Sequence, residues 1–203
     1  PTPEDAPLGP ASHYGRSKLR AETWVAAFQE QGLATTVIRP PVIYGPGDRY
    51  FTPTALRLAR LPVLPLVNGG QALFDLVYVQ DVAELMLQAA NHPAAKGRIY
   101  NAGPGRPRSL RDLVAAFKKL TGRGPRIITT SPTAMRLSSW LARPLIGRLA
   151  PGAEGALTPA GMALMRHNLH LDMSRAEGEL GFRPRFDLEE GLALTLASLE
   201  QGS

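Results

Sequence analysis

The sequence predicts an α/β fold, and three observations carry that expectation. Helix-like and strand-like segments alternate along the chain, which fits layers of helix on sheet better than an all-α or all-β arrangement. The strand-like runs are short and β-branched, whereas the helix-like runs carry apolar residues at three- and four-residue spacing. Glycine and proline, 20 and 19 of the 203 residues, fall between these runs as punctuation. With 44% hydrophobic residues the chain can bury a substantial core, as one domain or as two small ones.

In chain order, Ser12–Gln31 reads as a helix. Ser12 can cap it, Leu19, Trp24, Ala27 and Phe28 supply apolar spacing, and Gly32 stops it. Thr35–Ile38 is a short β-branched strand ended by Pro40 and Pro41. The loop Tyr44–Asp48 follows, with Gly45 and Gly47 permitting close backbone approach to a ligand. A short helix is expected over Pro53–Arg60, a strand over Leu73–Val79, and a helix over Gln80–Asn91, opened by Asp81 and closed before Pro93. Arg98–Ala102 is another strand. Ser109 then caps an amphipathic helix through Leu110, Leu113, Val114, Phe117 and Leu120, which Gly122 stops. Arg126–Thr129 reads as a strand and Thr133–Leu149 as an apolar, arginine-bearing helix kinked at Pro144. The glycine- and proline-rich stretch Pro151–Gly161 reads as a linker or lid hinge, and a last helix spans Leu188–Leu199. No internal repeat or low-complexity tract interrupts this order.

Composition narrows the function classes. The chain has no cysteine, so disulfides and cysteine-ligated zinc are excluded, as suits a reducing cytoplasm. Its net charge of +6 comes largely from arginine. Those arginines are scattered, without the basic run and interleaved aromatics of a nucleic-acid groove, so they read as solvated faces and no nucleic-acid partner is expected. No apolar run approaches the roughly 18 residues of a spanning helix. The Thr133–Leu149 segment could lie on a membrane surface, but Pro144 and its limited charge favour a protein-facing lid. His167, His170 and Asp172 lack a fourth ligand, so no metal site is expected.

The most informative segment is Tyr14-Gly15-Arg16-Ser17-Lys18. Residues four apart lie on one helix face, which sets an ammonium beside a phenol. A neighbouring cation favours the phenolate form of any phenol, and a phenol so placed is a usable general acid/base for a secondary alcohol or its ketone. Taken alone the spacing is weak, because a surface helix with a snorkelling lysine gives the same pattern.

Its context is specific. Glu4-Asp5-Ala6-Pro7 through Pro10, the Tyr14–Lys18 segment and Glu22 closely resemble the active-site helix of extended short-chain dehydrogenases/reductases. Arg39–Asp48 is similar to that family's strand and loop past the nicotinamide, and Val77–Ala83 to its strand-to-helix segment. Tyr100–Gly103, Ser109–Leu113, Leu180–Pro184 and Glu189–Leu192 resemble its later landmarks, in the family's order and over nearly the whole chain.

The resemblance implies the C-terminal part of a doubly wound Rossmann-type α/β fold plus a small α/β substrate-binding lobe. Residues 1–45 would belong to the Rossmann domain and 46–203 mainly to the lobe, with 77–103 returning to the Rossmann sheet. No glycine-rich dinucleotide turn after a strand occurs in these residues, so the N-terminal dinucleotide-binding half and its pyrophosphate site are expected to lie outside this sequence, as the absent initiator methionine also suggests. The segment alone is then expected to be inactive. By the same resemblance Tyr14 and Lys18 are the catalytic pair, and Tyr14, Lys18, Pro40, Pro41 and Val42 meet the cofactor, NAD or NADP. Tyr44, Asp48, Arg49 and Phe74 meet a small-molecule substrate, and a homodimer is compatible with the family.

Phe74 stands where nucleotide-sugar enzymes of the family often carry a phosphate-binding arginine. The apolar Thr133–Leu149 segment (Met135, Leu137, Trp140, Leu141, Leu145, Ile146) looks like the lid of the 3β-hydroxysteroid dehydrogenase and dihydroflavonol-reductase branches. Hydride transfer on a lipophilic secondary alcohol or ketone is therefore the leading expectation. A nucleotide-sugar epimerase or dehydratase is the alternative within the family, and a non-catalytic binding module derived from it is the alternative of another class.

Overall fold

A computed structural model describes residues 1–10, 12–135 and 168–201. Its elements, in order, are α1 (His13–Glu30), β1 (Thr36–Arg39), β2 (Val42–Tyr44), α2 (Phe51–Ala59), β3 (Val63–Val67), β4 (Leu73–Phe74), β5 (Leu76–Tyr78), α3 (Val79–Asn91), β6 (Arg98–Asn101), β7 (Arg108–Ser109), α4 (Leu110–Thr121), β8 (Arg126–Thr130), α5 (Ser174–Leu180) and α6 (Leu188–Gln201). Strands pair two by two. The pairs β1–β6, β2–β5 and β3–β8 are parallel, and β4–β7 is antiparallel. Parallel pairs joined through helices are the mark of an α/β fold, so the expected class is the one observed.

Two helices begin at clear capping residues. The Ser12 hydroxyl accepts from the Gly15 N–H at 3.0 Å, at the start of α1. Ser109 and Asp112 form a full capping box on α4, and Gly122 ends that helix in the left-handed conformation. Asp81 departs from expectation. The helix it was expected to open begins at Val79 without a side-chain cap, and Asp81 is instead buried, accepting from the N–H groups of Arg185 and Phe186. It thereby ties α3 to the loop ahead of α6. Burial pushes its carboxyl above the ordinary range, partly offset by those two N–H donors.

The expected strand Leu73–Val79 is broken at Asp75. There the chain leaves β7 and joins β2, because the Asp75 carboxylate turns inward to accept from Leu171 N–H. Spacing and propensity left β2, β3, β7 and α5 unmarked. The strand β2 follows a double proline. Pro65 lies within β3, which is tolerated because among the described residues this strand pairs on one side only, with β8. The seven-residue α5 contains Gly178 and buries Ala176 alone.

Three apolar clusters hold these elements. One gathers Tyr44, Phe74, Leu76, Tyr78, Phe117 and Leu192 from β2, β4, β5, α4 and α6. A second packs Leu64, Leu66 and Val67 with Met135, so the described end of the expected lid belongs to a core; residues 136–149 and the 151–161 hinge lie outside the described residues. The third joins Leu85, Tyr100, Ala102, Met173 and Phe182. Full burial of a side chain such as Phe117 or Leu192 contributes on the order of 1.5–3 kcal/mol. By contrast α1 fully buries no residue: Leu19 and Ala27 are half-buried, and Trp24 remains 67% and Phe28 49% exposed.

The capping box makes stability depend on acid pH. The hydrogen bond from the Ser109 backbone holds the Asp112 carboxyl below the ordinary range, against the opposing effect of burial. A depressed carboxyl contributes stability that is present above its unfolded value, about 3.9, and is lost as pH falls through the folded value. Urea unfolding followed from neutral to acid pH should therefore show a smaller loss for Asp112→Asn than for wild type. At neutral pH, Ser109→Ala should destabilise by about 1 kcal/mol.

Candidate active site

The helix α1 carries Tyr14 and Lys18 one turn apart. The Lys18 ammonium lies 5.3 Å from the centroid of the Tyr14 ring, within cation–π range. Both side chains are exposed, Tyr14 by 71%.

Since α1 has no fully buried residue, polar contacts help to position it. Arg39, the last residue of β1, grips Glu22 of α1 with a two-pronged fork, Nε to Oε1 at 2.9 Å and Nη2 to Oε2 at 2.6 Å. Its remaining nitrogen, Nη1, donates to the Glu4 carbonyl at 2.7 Å. The hydrogen bond that Arg39 donates to Glu22 raises the Arg39 pKa above its ordinary value, against the lowering effect of burial. Glu4 is itself buried, and its carboxylate accepts from Asn101 N–H at 2.9 Å. One arginine thus joins α1, the loop before it and the β1–β6 pair.

Two cavities adjoin along this seam. The first, about 340 Å³, is walled by Ala6, Pro7 and Leu8, by Pro40, Pro41 and Val42, by Phe74 and Asp75, and by Leu169, His170 and Leu171. The second, also about 340 Å³, is lined by Leu8, Gly9, Pro10, Gly15, Lys18, Leu19, Glu22 and Arg39. Leu8 and Arg39 belong to both linings. Lys18 and the Pro40–Val42 segment are therefore brought to neighbouring recesses, while Tyr14 stands at the helix start and lines neither.

The four residues expected to meet substrate separate. Phe74 lines the first cavity, although it is 1% exposed and packs on Phe51. Tyr44 is a core residue: it is 2% exposed, its hydroxyl points to the Asp187 carbonyl, and burial raises its pKa. Gly191 of α6 lies so close to this ring that a methyl group there would strike it. Asp48 works as a local anchor, accepting from the N–H groups of Tyr50, Phe51 and Thr52 and from the Thr52 hydroxyl. Burial pushes its carboxyl up, and these donors together outweigh burial and hold it below the ordinary range. Arg49 is exposed and borders neither cavity. The tight turn before it serves the scaffold: Gly45, at φ 145°, presses against Val79 and Tyr78, so its lack of a side chain admits a protein neighbour.

Sequence reading did not place Asp75 and His170 at the cavity. The His170 Nδ1 lies 3.0 Å from one Asp75 oxygen and 3.2 Å from the other. His170 drew notice only as part of a metal cluster with His167 and Asp172. The structure pairs it with Asp75 instead, Asp172 accepts from Ser174 N–H, and His167 lies outside the described residues. A separate cavity of about 410 Å³ takes Arg106, Arg108, Arg183 and Arg185, and it shares no lining residue with the Pro40–Phe74 cavity.

An α/β scaffold that sets a Tyr-x-x-x-Lys helix beside a cavity at the ends of β1 and β4 defines an extended short-chain dehydrogenase/reductase. Residues 1–103 match the NAD dependent epimerase/dehydratase family, and the chain belongs to it. Among curated relatives, a 4-hydroxy-2-methyl-3-oxo-4-farnesyl-3,4-dihydroquinoline-1-oxide ketoreductase of Stigmatella aurantiaca is 28% identical over 186 residues, covering 92% of this chain and 55% of that protein. The decarboxylating sterol-4-alpha-carboxylate 3-dehydrogenase of Saccharomyces cerevisiae is 27% identical over 211 residues, covering 97% and 59%. Among solved structures, UDP-glucose 4-epimerase from Thermotoga maritima, with UDP-glucose, superposes with a TM-score of 0.71 at 26% identity, covering all of this chain and 58% of that one. The chain thus spans little more than half the length of these proteins.

The Arg39 fork yields a test. Its side chains are 19% and 24% exposed, between the surface and buried regimes of ion pairs. Arg39→Ala should destabilise by about 2 kcal/mol in urea unfolding. Arg39→Lys, which keeps the charge and loses the fork, should recover less than half of that.

Proposed function

We propose that the enzyme carrying this chain moves a hydride between NAD(P) and a secondary alcohol or its ketone, on an otherwise apolar substrate. The observation that carries the chemistry is the Lys18 ammonium set over the Tyr14 ring on a helix docked by Arg39. The chemistry supplied by bound NAD(P) is hydride acceptance or donation at its nicotinamide ring. The residues present fit that end of the cofactor: Lys18 borders a recess that shares Leu8 and Arg39 with the cavity walled by Pro40–Val42. During oxidation the deprotonated Tyr14 oxygen takes the proton from the carbinol oxygen, and during reduction the Tyr14 hydroxyl donates it back. Lys18 stabilises the oxygen while it bears negative charge, and its remaining donors hold ribose hydroxyls. Pro40, Pro41 and Val42 form the wall that orients the ring. The parallel β1–β6 pairing supports assigning residues 1–45 and 77–103 to one nucleotide-binding sheet.

The apolar walls support the choice of substrate. Phe74 offers no charge to a pyrophosphate, and Arg39, which reaches the cavity, is committed to Glu22 and Glu4. Arg106 and Arg108 open onto the other cavity. The farnesylated and sterol substrates named for the two relatives are of the same apolar kind. The UDP-glucose of the structural relative favours a nucleotide sugar as the second reading.

Tyr14→Phe should lower kcat by at least about 100-fold with cofactor affinity retained, because a general acid/base contributes most in the transition state. Lys18→Ala should weaken cofactor binding as well as rate. If Tyr14→Phe kept near-normal turnover, the acid/base role would be wrong. A turnover panel of sterols, flavanonols and nucleotide sugars, run with NAD and NADP, should show activity on the lipophilic members. Activity confined to a nucleotide sugar would overturn that substrate class.

A further inference from the structure

We infer that His170, held by Asp75, is a specificity-determining residue of the apolar cavity, and that it accepts a hydrogen bond from a second hydroxyl on the substrate. The inference rests on reading that cavity as the substrate site.

The Asp75 side chain is fully buried and His170 is 24% exposed. Both Asp75 oxygens lie within hydrogen-bond range of one ring nitrogen, Nδ1, and one of them also accepts from Leu171 N–H at 2.8 Å. A carboxylate can only accept, so in the neutral ring the proton sits on Nδ1 and Nε2 is left as an acceptor. The backbone around the ring is pinned on both sides. Leu169 N–H donates to Leu73 O at 2.8 Å, Asp75 N–H to Leu169 O at 3.0 Å, and Thr2 N–H to His170 O at 2.7 Å. The imidazole is therefore a fixed feature of the wall.

Its neighbours at the cavity are already occupied. Arg39 donates to Glu22 and Glu4, and the Asn101 amide donates to Thr2 O and Asp172 O. Among the described residues no hydrogen bond reaches His170 Nε2. Largely apolar walls with a fixed imidazole acceptor suit an apolar molecule that carries a hydroxyl besides the one being oxidised. The walls supply affinity without distinguishing such a diol from its monohydroxy analogue. The acceptor does distinguish them, because bound analogue leaves Nε2 shielded and unpaired.

The test uses the full-length enzyme with decan-2-ol and a set of decanediols that keep its reacting hydroxyl. In wild type the best diol should exceed decan-2-ol in kcat/KM by roughly tenfold, the effect of one neutral hydrogen bond. His170→Phe should bring that ratio to about one, and His170→Gln, which retains an acceptor, should preserve part of it. A ratio unchanged in His170→Phe, or no preference for any diol in wild type, would overturn the inference. Imidazole nitrogen NMR at a pH where the ring is neutral gives a readout that needs no turnover. It should show the Nδ1-protonated tautomer and an Nε2 resonance that moves with a diol and not with decan-2-ol. An Nε2-protonated ring, or a resonance the diols leave in place, would also overturn it. If neither alcohol is turned over, the lipophilic reading fails, and the Nε2 response still decides the role of His170.

Discussion

The fork between Arg39 and Glu22 is the constraint on which the site depends. A helix with no fully buried side chain gains little from core packing to fix its position. Its placement follows from a few directional contacts, and Arg39 makes the strongest of them, to Glu22 and to the Glu4 carbonyl. A guanidinium suits this role because its planar donors reach two partners at defined angles, which a lysine cannot do. The positions of Tyr14 and Lys18 relative to the cavity are thus inherited from a strand residue outside their own helix.

The same economy recurs where segments distant in sequence must meet. Asp75 ends one strand pairing and starts another while receiving Leu171 and orienting His170. Asp81 receives the backbone of Arg185 and Phe186. Asn101 joins the chain near Thr2 to that near Asp172. Each is a buried or nearly buried polar side chain whose acceptors or donors are matched by backbone groups, which makes burial tolerable and register specific. The apolar clusters provide the bulk of the stability, and these polar joints decide which segments lie beside which.

Much of the local structure was legible. Ser12, Ser109 and Gly122 mark helix ends because capping acts within three or four residues, and the pattern of α4 was visible because a single buried face selects it. The Tyr14–Lys18 pairing followed from helix geometry alone. Less legible were β2 and β3, whose flanking or internal prolines hide short strands that pairing stabilises. Tyr44 and Asp48 sit in a motif that suggested ligand contact, yet their polar groups are taken up by Asp187 and by the start of α2. Nothing local distinguishes a tyrosine that faces a ligand from one that faces the core.

By itself the sequence determined the α/β class, the order of most elements, and the tyrosine–lysine pair, since each depends on residues close together in the chain. The tertiary structure alone decided that Arg39 grips α1, that Phe74 rather than Tyr44 lines the cavity, and that His170 pairs with Asp75. Those outcomes depend on hydrogen bonds and packing between segments far apart in sequence. Their energies exist only once the strands have paired, and no spacing along the chain encodes them.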